Sequence, residues 1–579
     1  MNIISLSFFN DIWIHSYPEF LFYKNLKEKY GVNIDVINCE KVFSKNCPAH
    51  NNKSILLSDT QAKKNKICNS CVKTTNFYKK NSNLNHLNLS DFIKDKDKSK
   101  IKEILKKINL YNYKNLSVLG VNVSRSTLFN FLINNKLNSD SFDKQTFNKF
   151  KISLEYSLIT LFAFKKILYK KKYDFLISYS TEYSLNRVCA EYAKLKNIKI
   201  MNLVAGKNPQ DKYSKLILSE SHKAGFVYHA NLNWNKFKKK PVALKDLNSV
   251  ELYIESLLKS KSYLNFSLAP KGTNIRNYFK IPSKYKKIVL VALAGAGERL
   301  GDHLIGHMQS KEKNCSTKHF DTDFQWAKYL VKNADKFQDT FFIFRPHPRD
   351  YNYRGNLNIS SVMKNYVNLS KSLPDNCKFN FREDQISIYD FIPYVDLLLN
   401  SSSVTSYEFG MFGVRTLIFD PKLYYYSNDL VLYPKNFKDY SLFMQKTLDN
   451  KDYNKKKIII NAFKWLSIQF NYETIDISDV FKPNYTGRFF KALNTIQRLS
   501  GTNFMVNLFY NFTNTKMKNI SLFYKMLKNN YDSPLNINLR KIYSNSTEKN
   551  EFKIVKKMIL NQLYINKQNK IYEKFNKIN

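Results

Sequence analysis

The sequence predicts an α/β protein of two doubly wound lobes with a helical, basic C-terminal extension, and three observations carry that expectation. The first is a β-α-β opening: a strand at Ile3 to Phe8, an amphipathic run from Phe20 to Tyr30 closed by Gly31, and a second strand at Val32 to Ile37. The second is an uninterrupted apolar strand far downstream, Ile288 to Leu293, running into Ala294-Gly295-Ala296-Gly297-Glu298. The third is a pair of short apolar strands that end abruptly in polar groups. One delivers Arg345-Pro346-His347-Pro348-Arg349, the other Ser401-Ser402-Ser403 and, a turn or so later, Glu408. In a parallel sheet ligands collect at the carboxyl ends of strands.

With 579 residues the chain exceeds one ordinary core. The expected boundaries are 1–283 for the first lobe, with a cysteine-bearing insertion at about 39–90, then 284–480 for the second and 481–579 for the extension. Lys+Arg 93 against Asp+Glu 47 leaves a net charge of +46. Such an excess raises nucleic acid or an anionic membrane as partner. No RNA-recognition signature, zinc-finger array or single basic helix concentrates the charge, so nucleic acid is set aside. No uncharged apolar run is long enough to span a bilayer, and Met1 to Leu6 reads as a strand without a basic leader, so the expected location is the cytoplasm.

Along the first lobe, seven cysteines in so long a chain do not form a disulfide framework. Cys68 and Cys71 have the two-residue gap by which one turn presents two thiolates to zinc. Cys39 and Cys47, or His50, complete a candidate structural zinc set, against the plainer reading of reduced thiols in a long surface loop. Ser124 to Thr127 read as the polar turn opening a helix through Phe129 and Leu132. Phe142 to Tyr169 has helical periodicity. Tyr173 to Ser178, a helix capped at Thr181 to Ser184, and Ile198 to Val204 make a further β-α-β unit, which makes this lobe an open parallel sheet. From Asn231 to Lys286 prolines and lysines punctuate peripheral helices and the connection between lobes.

In the second lobe Thr322 caps a helix with apolar positions at Phe324, Ala327, Leu330 and Val331. Glycine after the strand at Ile288 lets backbone approach a phosphate closely or lets two lobes close on each other, which makes Gly295 and Gly297 candidate binding residues. The prolines around His347 stiffen its loop, and Arg345, His347 and Arg349 bring three donors suited to an anion. Ser387 to Asp390 has the look of a capping box. At Ser401, Ser402 and Ser403 a strand becomes a helix, so hydroxyls and backbone N–H groups converge. Glu408 is placed to accept hydrogen bonds from ribose hydroxyls. Beyond Pro483, Arg488 to Phe509 interleave aromatic, apolar and basic residues, as in a helix lying on an anionic leaflet or one docked onto the protein.

The block from Lys287 to Pro421 resembles the bacterial capsule and surface polysaccharide biosynthesis glycosyltransferases, which have two Rossmann-like lobes in the GT-B architecture. The likeness rests on Ala294 to Glu298, Gln325-Trp326, the His-Pro element at His347, Ile386 to Asp390, and Asp396 through Ser403 to Glu408 and Gly413. In the first lobe it extends to the cysteines, Gly120 to Ser126 and Ser184 to Arg187. The resemblance implies sugar transfer from a nucleotide-activated donor, with no catalytic metal. His347 and Ser401 to Ser403 would hold the donor phosphate and Glu408 would lie near the nucleoside. The acceptor would be a glycan or lipid-linked glycan at the inner face of the membrane. Neighbouring readings are CDP-polyol phosphate transfer of the teichoic-acid type and a non-catalytic scaffold of an export complex. The first lobe lacks a clear Glu-Asp-Gly type base. Inverting transfer needs a group to take the acceptor's proton, and His15 and Glu19, just past the first strand, are the candidates, with Glu182 and Glu298 behind them.

Overall fold

The computed structural model describes the chain apart from residues 54, 221–226, 261–266, 306–319, 321, 352–358, 402, 419–425, 428, 435–438, 484–491, 493–511, 513–514, 540–547 and 579, and apart from the side chains of 299, 302, 303, 305, 548 and 549. Fourteen strands lie in the described residues. They are β1 (Asn2–Ser7), β2 (Asn33–Asn38), β3 (Asn85–Asn88), β4 (Ser117–Val118), β5 (Val121–Asn122), β6 (Phe175–Ser178), β7 (Lys199–Ala205), β8 (Lys215–Ser219), β9 (Lys287–Ala292), β10 (Thr340–Arg345), β11 (Cys377–Phe379), β12 (Leu397–Asn400), β13 (Arg415–Ile418) and β14 (Ile475–Asp476).

The first sheet runs β14-β8-β7-β6-β1-β2-β3 and the second β11-β10-β9-β12-β13. Within each, the strand that comes first in the chain lies in the interior, and later strands are laid down on both of its sides. That is the doubly wound, Rossmann-like arrangement expected of both lobes. The second sheet is parallel throughout. The first is not an entirely open parallel sheet. β8 pairs antiparallel with β7, and β14 pairs antiparallel with β8, so a segment from beyond the second sheet closes the edge of the first. Such an edge has no local signature, because its partners are some 260 residues apart in the sequence while each strand is short.

Local chemistry explains the helix that follows β1. The helix Trp13–Tyr30 ends where Gly31 takes φ 65° and returns its N–H to the Lys27 carbonyl. It is buried along most of its length, between its own sheet and the helix Ile520–Lys528, where Tyr30 stacks on Tyr524 with ring centres 3.9 Å apart. The helix Val123–Asn134 starts one residue before the expected serine turn. Its cap is the Asn122 side chain, which accepts from the Arg125 N–H. Thr322 caps its helix as expected, accepting from Gln325 N–H.

Asp390 is no capping-box carboxylate. It accepts the backbone N–H groups of Lys271 (2.9 Å) and Gly272 (2.8 Å) and the Thr273 hydroxyl, which fastens the interlobe connection to the second lobe. The described part of the extension docks on both lobes. The helix Ile520–Lys528 lies on the first, while Glu548–Ile565 and Asn569–Asn576 pack on the second through Phe412 and Phe575 and through an ion pair of Lys464 with Glu551. The stretch Arg488 to Phe509, read from sequence as a leaflet-binding or docking helix, lies outside the described residues. No helix among the described residues is long and apolar enough to cross a membrane.

Candidate active site at the strand ends of the second sheet

β9, β10 and β12 finish level with one another: Arg345 is the register partner of Ala292, and Ala292 is the partner of Asn400. This is the point where the winding reverses, and there the strand ends splay to leave a crevice. A cavity of about 350 Å³ opens at it, within the usual range of roughly 300–1,000 Å³ for small-molecule sites. Arg345, Pro346, His347, Pro348, Ser403, Glu298 and Glu408 line it from the second lobe, and Lys207 and Pro209 from the first. Tyr253, Tyr389, Tyr407 and Phe470 give it aromatic walls.

The Arg345 guanidinium donates to Asn380 Oδ1 and, at 3.1 Å, to the Ile386 carbonyl. Two of its five donors are thus spent on holding its plane. Burial brings it down to about 10, still a cation at neutral pH. Among the described residues it forms no ion pair, so its charge is left to whatever enters the cavity. His347 accepts the Arg349 N–H at Nδ1, 3.2 Å away, which puts the proton of the neutral ring on Nε2. Burial, with the Arg345 charge behind it, takes His347 down to about 4, so the imidazole at neutral pH is an uncharged donor.

The remaining sequence candidates divide. Arg349 is ion-paired with Glu298 and is not among the residues that line the cavity. Gly295 leaves room for two neighbours: a Cβ there would lie 3.0 Å from Glu298 Oε2 and 3.4 Å from His347 Nδ1. Gly297 serves the closing of lobes. At φ 80°, its Cβ would stand 2.8 Å from the carbonyl oxygens of both Leu132 and Leu137 in the first lobe. Ser401 is fully buried, with its hydroxyl 3.5 Å from Asp323 Oδ2. Ser402 lies outside the described residues. Ser403 reaches the cavity, its N–H donating to the Tyr426 hydroxyl and its own hydroxyl 2.6 Å from that of Thr405.

Glu408 differs most from its expected role. Its two oxygens accept from the hydroxyls of Tyr253 (2.5 Å) and Tyr389 (3.2 Å), and burial pushes it up to about 7 despite them. It braces two aromatic walls of the cavity. Tyr253, Phe470 and Lys207 went unread in the sequence, and Tyr389 was read only as part of the Ile386 to Asp390 element. For Lys207 the strand end at Ala205-Gly206 was a usable signal; for the others none was local.

His15 and Glu19 do not line the cavity. His15 stacks on Tyr179, ring centres 4.3 Å apart, and burial lowers it to about 3. Glu19 is 3% exposed and accepts from Ser7 (3.0 Å), Tyr23 (3.2 Å) and Ser5 (3.3 Å). Desolvation outweighs these bonds and raises it to about 8. A carboxyl held above its ordinary value of 4.5 keeps its proton in the folded state after the unfolded chain has released it, so the stability it gives is present below 4.5 and lost as pH rises through 8. Glu408 acts alike, but its loss is largely complete near 7. His15 and His347, held below 6.5, act at acid pH and in the opposite sense. The melting temperature is therefore expected to fall between pH 7 and 8, and to fall less over that interval in Glu19→Gln. Parallel melting curves for the two proteins would show that Glu19 does not carry the effect.

The cysteines divide: Cys39 and Cys47 lie in the connection between β2 and the helix Pro48–Asn52, while Cys68 and Cys71 do not lie in a loop. Cys68 and Cys71 lie on the helix Gln61–Asn81; Cys68 is buried, with Sγ 3.5 Å from His50 Nε2, and Cys71 donates to the Phe8 carbonyl. Cys39 and Cys47 are half-buried, and burial pushes the Cys39 thiol up to about 12. Among the described residues no group of three or more His, Cys, Asp or Glu is arranged to hold a metal ion.

No protein-family model matches the sequence, and no curated protein matches it. Among solved structures the chain is similar to a Thermosulfurimonas dismutans KpsC, beta Kdo 2,7 transferase, with 14% identity, 52% of this chain and 79% of that one covered, and a TM-score of 0.28. It is similar also to UDP-GlcNAc 2-epimerase from Neisseria meningitidis bound to UDP-GlcNAc, with 10% identity, 80% and 98% covered, and a TM-score of 0.27. A third is CalG4, the calicheamicin glycosyltransferase, with 10% identity, 86% and 98% covered, and a TM-score of 0.24. Superpositions that loose carry no argument about this chain; its two-lobed fold rests on its own strand order.

Proposed function

We propose that the protein is a glycosyltransferase that takes a sugar from a nucleotide-activated donor, for the building of a capsule or other surface polysaccharide. The observation that carries this reading is the unpaired Arg345 cation beside a neutral, Nε2-protonated His347 at the winding reversal of the second sheet, in a cavity with aromatic walls. Arg345 answers the charge of a phosphate group, and His347 donates to a phosphate or leaving oxygen without adding charge. The tyrosine and phenylalanine walls suit a nucleobase face, and Glu408 holds two of them in place through their hydroxyls. Lys207, paired with Glu473 at 2.6 Å, brings the first lobe to the same cavity, where an acceptor glycan would meet the donor. The sequence resemblance at the His-Pro and serine elements points the same way, and no catalytic metal enters the scheme.

Titration with a panel of nucleotide-sugars tests it. One of them is expected to bind saturably, with affinity at least tenfold weaker in His347→Ala, the loss of a hydrogen bond to a charged oxygen being worth about 1.5–3 kcal/mol. Binding confined to a CDP-linked polyol would make the protein a polyol-phosphate transferase instead. Binding of no activated donor would leave the scaffold reading.

A further inference from the structure

The second lobe holds another cavity, of about 430 Å³, at the far end of its sheet. Arg415, at the start of the edge strand β13, pairs in register with Leu397, three residues and so roughly 10 Å along the strand from the end of β12 at the donor crevice. The Arg415 guanidinium lies 3.8 Å over the Tyr453 ring and donates through Nη1 to the Asn450 carbonyl at 3.0 Å. The side chain is 7% exposed, yet among the described residues its Nε has no hydrogen-bond partner, and neither has the hydroxyl of Thr416, which is 1% exposed. Both residues line the cavity. A buried guanidinium N–H and a buried hydroxyl without partners are costly to leave so, and adjacent residues that share the condition in one hollow mark a place for a polar ligand.

The rest of the lining says what kind. Lys446 and Lys457 stand exposed at the rim, and neither forms an ion pair among the described residues. The one carboxylate in the lining, Asp429, accepts both Lys238 (2.8 Å) and the Trp234 indole (2.6 Å) at Oδ2, and Lys457 also acts on its charge. Asp396, whose charge also acts on Arg415, accepts the Ile288 N–H at 2.9 Å. Leu430, Val431 and Phe443 supply an apolar wall. An anionic head against Arg415 and Thr416, with an apolar body against that wall, answers the unpartnered groups and the apolar lining together.

We propose that this cavity is a second ligand site of the protein, for a small organic phosphate or carboxylate with an apolar portion, separate from the donor crevice and independent of the reaction assigned there. Inorganic phosphate and phenyl phosphate are the probes, titrated calorimetrically at fixed ionic strength into the full chain. Phenyl phosphate is expected to bind saturably and about tenfold tighter than inorganic phosphate, the increment from burying its ring. His347→Ala removes the donor crevice's histidine and is expected to bind phenyl phosphate as the wild type does. The double variant Lys446→Ala/Lys457→Ala, exposed positions that leave the core intact, is expected to bind about tenfold more weakly. Arg415→Met, which keeps the stem packed on Tyr453, is expected to lose binding. If His347→Ala shows no saturable binding, the site does not exist. If it binds but the lysine variant and every folded Arg415 variant match the wild type, the ligand is elsewhere and the proposal is overturned.

Discussion

Gly297→Ala is expected to destabilise the protein by about 3 kcal/mol or more, in two parts that a control separates. The first part is backbone: at φ 80° an L side chain is strained, at about 1–2 kcal/mol. The second is contact. The added methyl would press to 2.8 Å on two carbonyl oxygens at the end of the helix Val123–Asn134 and just beyond it, neither of them the end of a flexible side chain. Overpacking of that kind costs roughly 1–3 kcal/mol. Gly31 has φ 65° and nothing within 4 Å of its missing Cβ, so Gly31→Ala carries the first part without the second. Urea unfolding of the two variants should place Gly297→Ala well below Gly31→Ala. Equal losses would mean that the lobes do not close on this glycine. Phe129 makes the neighbouring contact, its ring edge lying 2.9 Å from a Cβ at Gly301, so the shift has little room to relax.

A second large effect is expected at the ion pair that ties the helix Glu548–Ile565 to the second lobe. Lys464 and Glu551 meet at 2.8 Å, each with 7% of its side chain exposed, and Lys464 also donates to the Lys238 carbonyl at 2.9 Å. The Glu551 carboxylate accepts from the Val242 N–H as well, at 3.2 Å. Glu551→Ala strands a buried ammonium, and breaking such a pair from one side costs about 3–5 kcal/mol. Lys464→Met/Glu551→Leu removes both charges and should recover much of the loss. A single-variant loss under about 1 kcal/mol would place the pair among weak surface contacts. Limited proteolysis gives a second reading, because the helix Glu548–Ile565 should be released before the rest of the lobe unfolds.

What the sequence made legible was the part governed by local rules. Ile288 to Leu293 could hardly be anything but a buried strand, and Gly31 stops its helix by a conformation open to few other residues. Arg345, His347, Ser403 and Glu408 were legible for a related reason: a polar cluster placed directly after an apolar strand lies at a strand end wherever the strand goes. The partners of those residues were not legible. Tyr253 comes from a helix read as peripheral and meets Glu408 across 155 positions of chain. Once it does, a carboxylate that sequence placed against a ribose turns out to brace two aromatic walls. Arg349 has the composition of an anion donor, and Glu298, 51 positions away, neutralises it. Glu19 sits at the expected strand, but on a helix whose sequence does not tell which face is turned inward. Burial decided its character, and burial is a property of the whole packing rather than of the neighbours in sequence.

The edge made by β14 has a further consequence. After completing the second sheet the chain returns to hydrogen-bond Ile475 and Asp476 to Leu216 and Lys215, and it leaves again for the helices Glu548–Ile565 and Asn569–Asn576 on the second lobe, so the polypeptide passes between the lobes three times. Repeated covalent crossings of one gap resist separation of the lobes more than a single linker would. A chain cut after the first passage would present β8 as a bare edge, its ladder groups open to any other strand. The halves are thus tied by the chain itself as well as by packing, and neither half is suited to life alone.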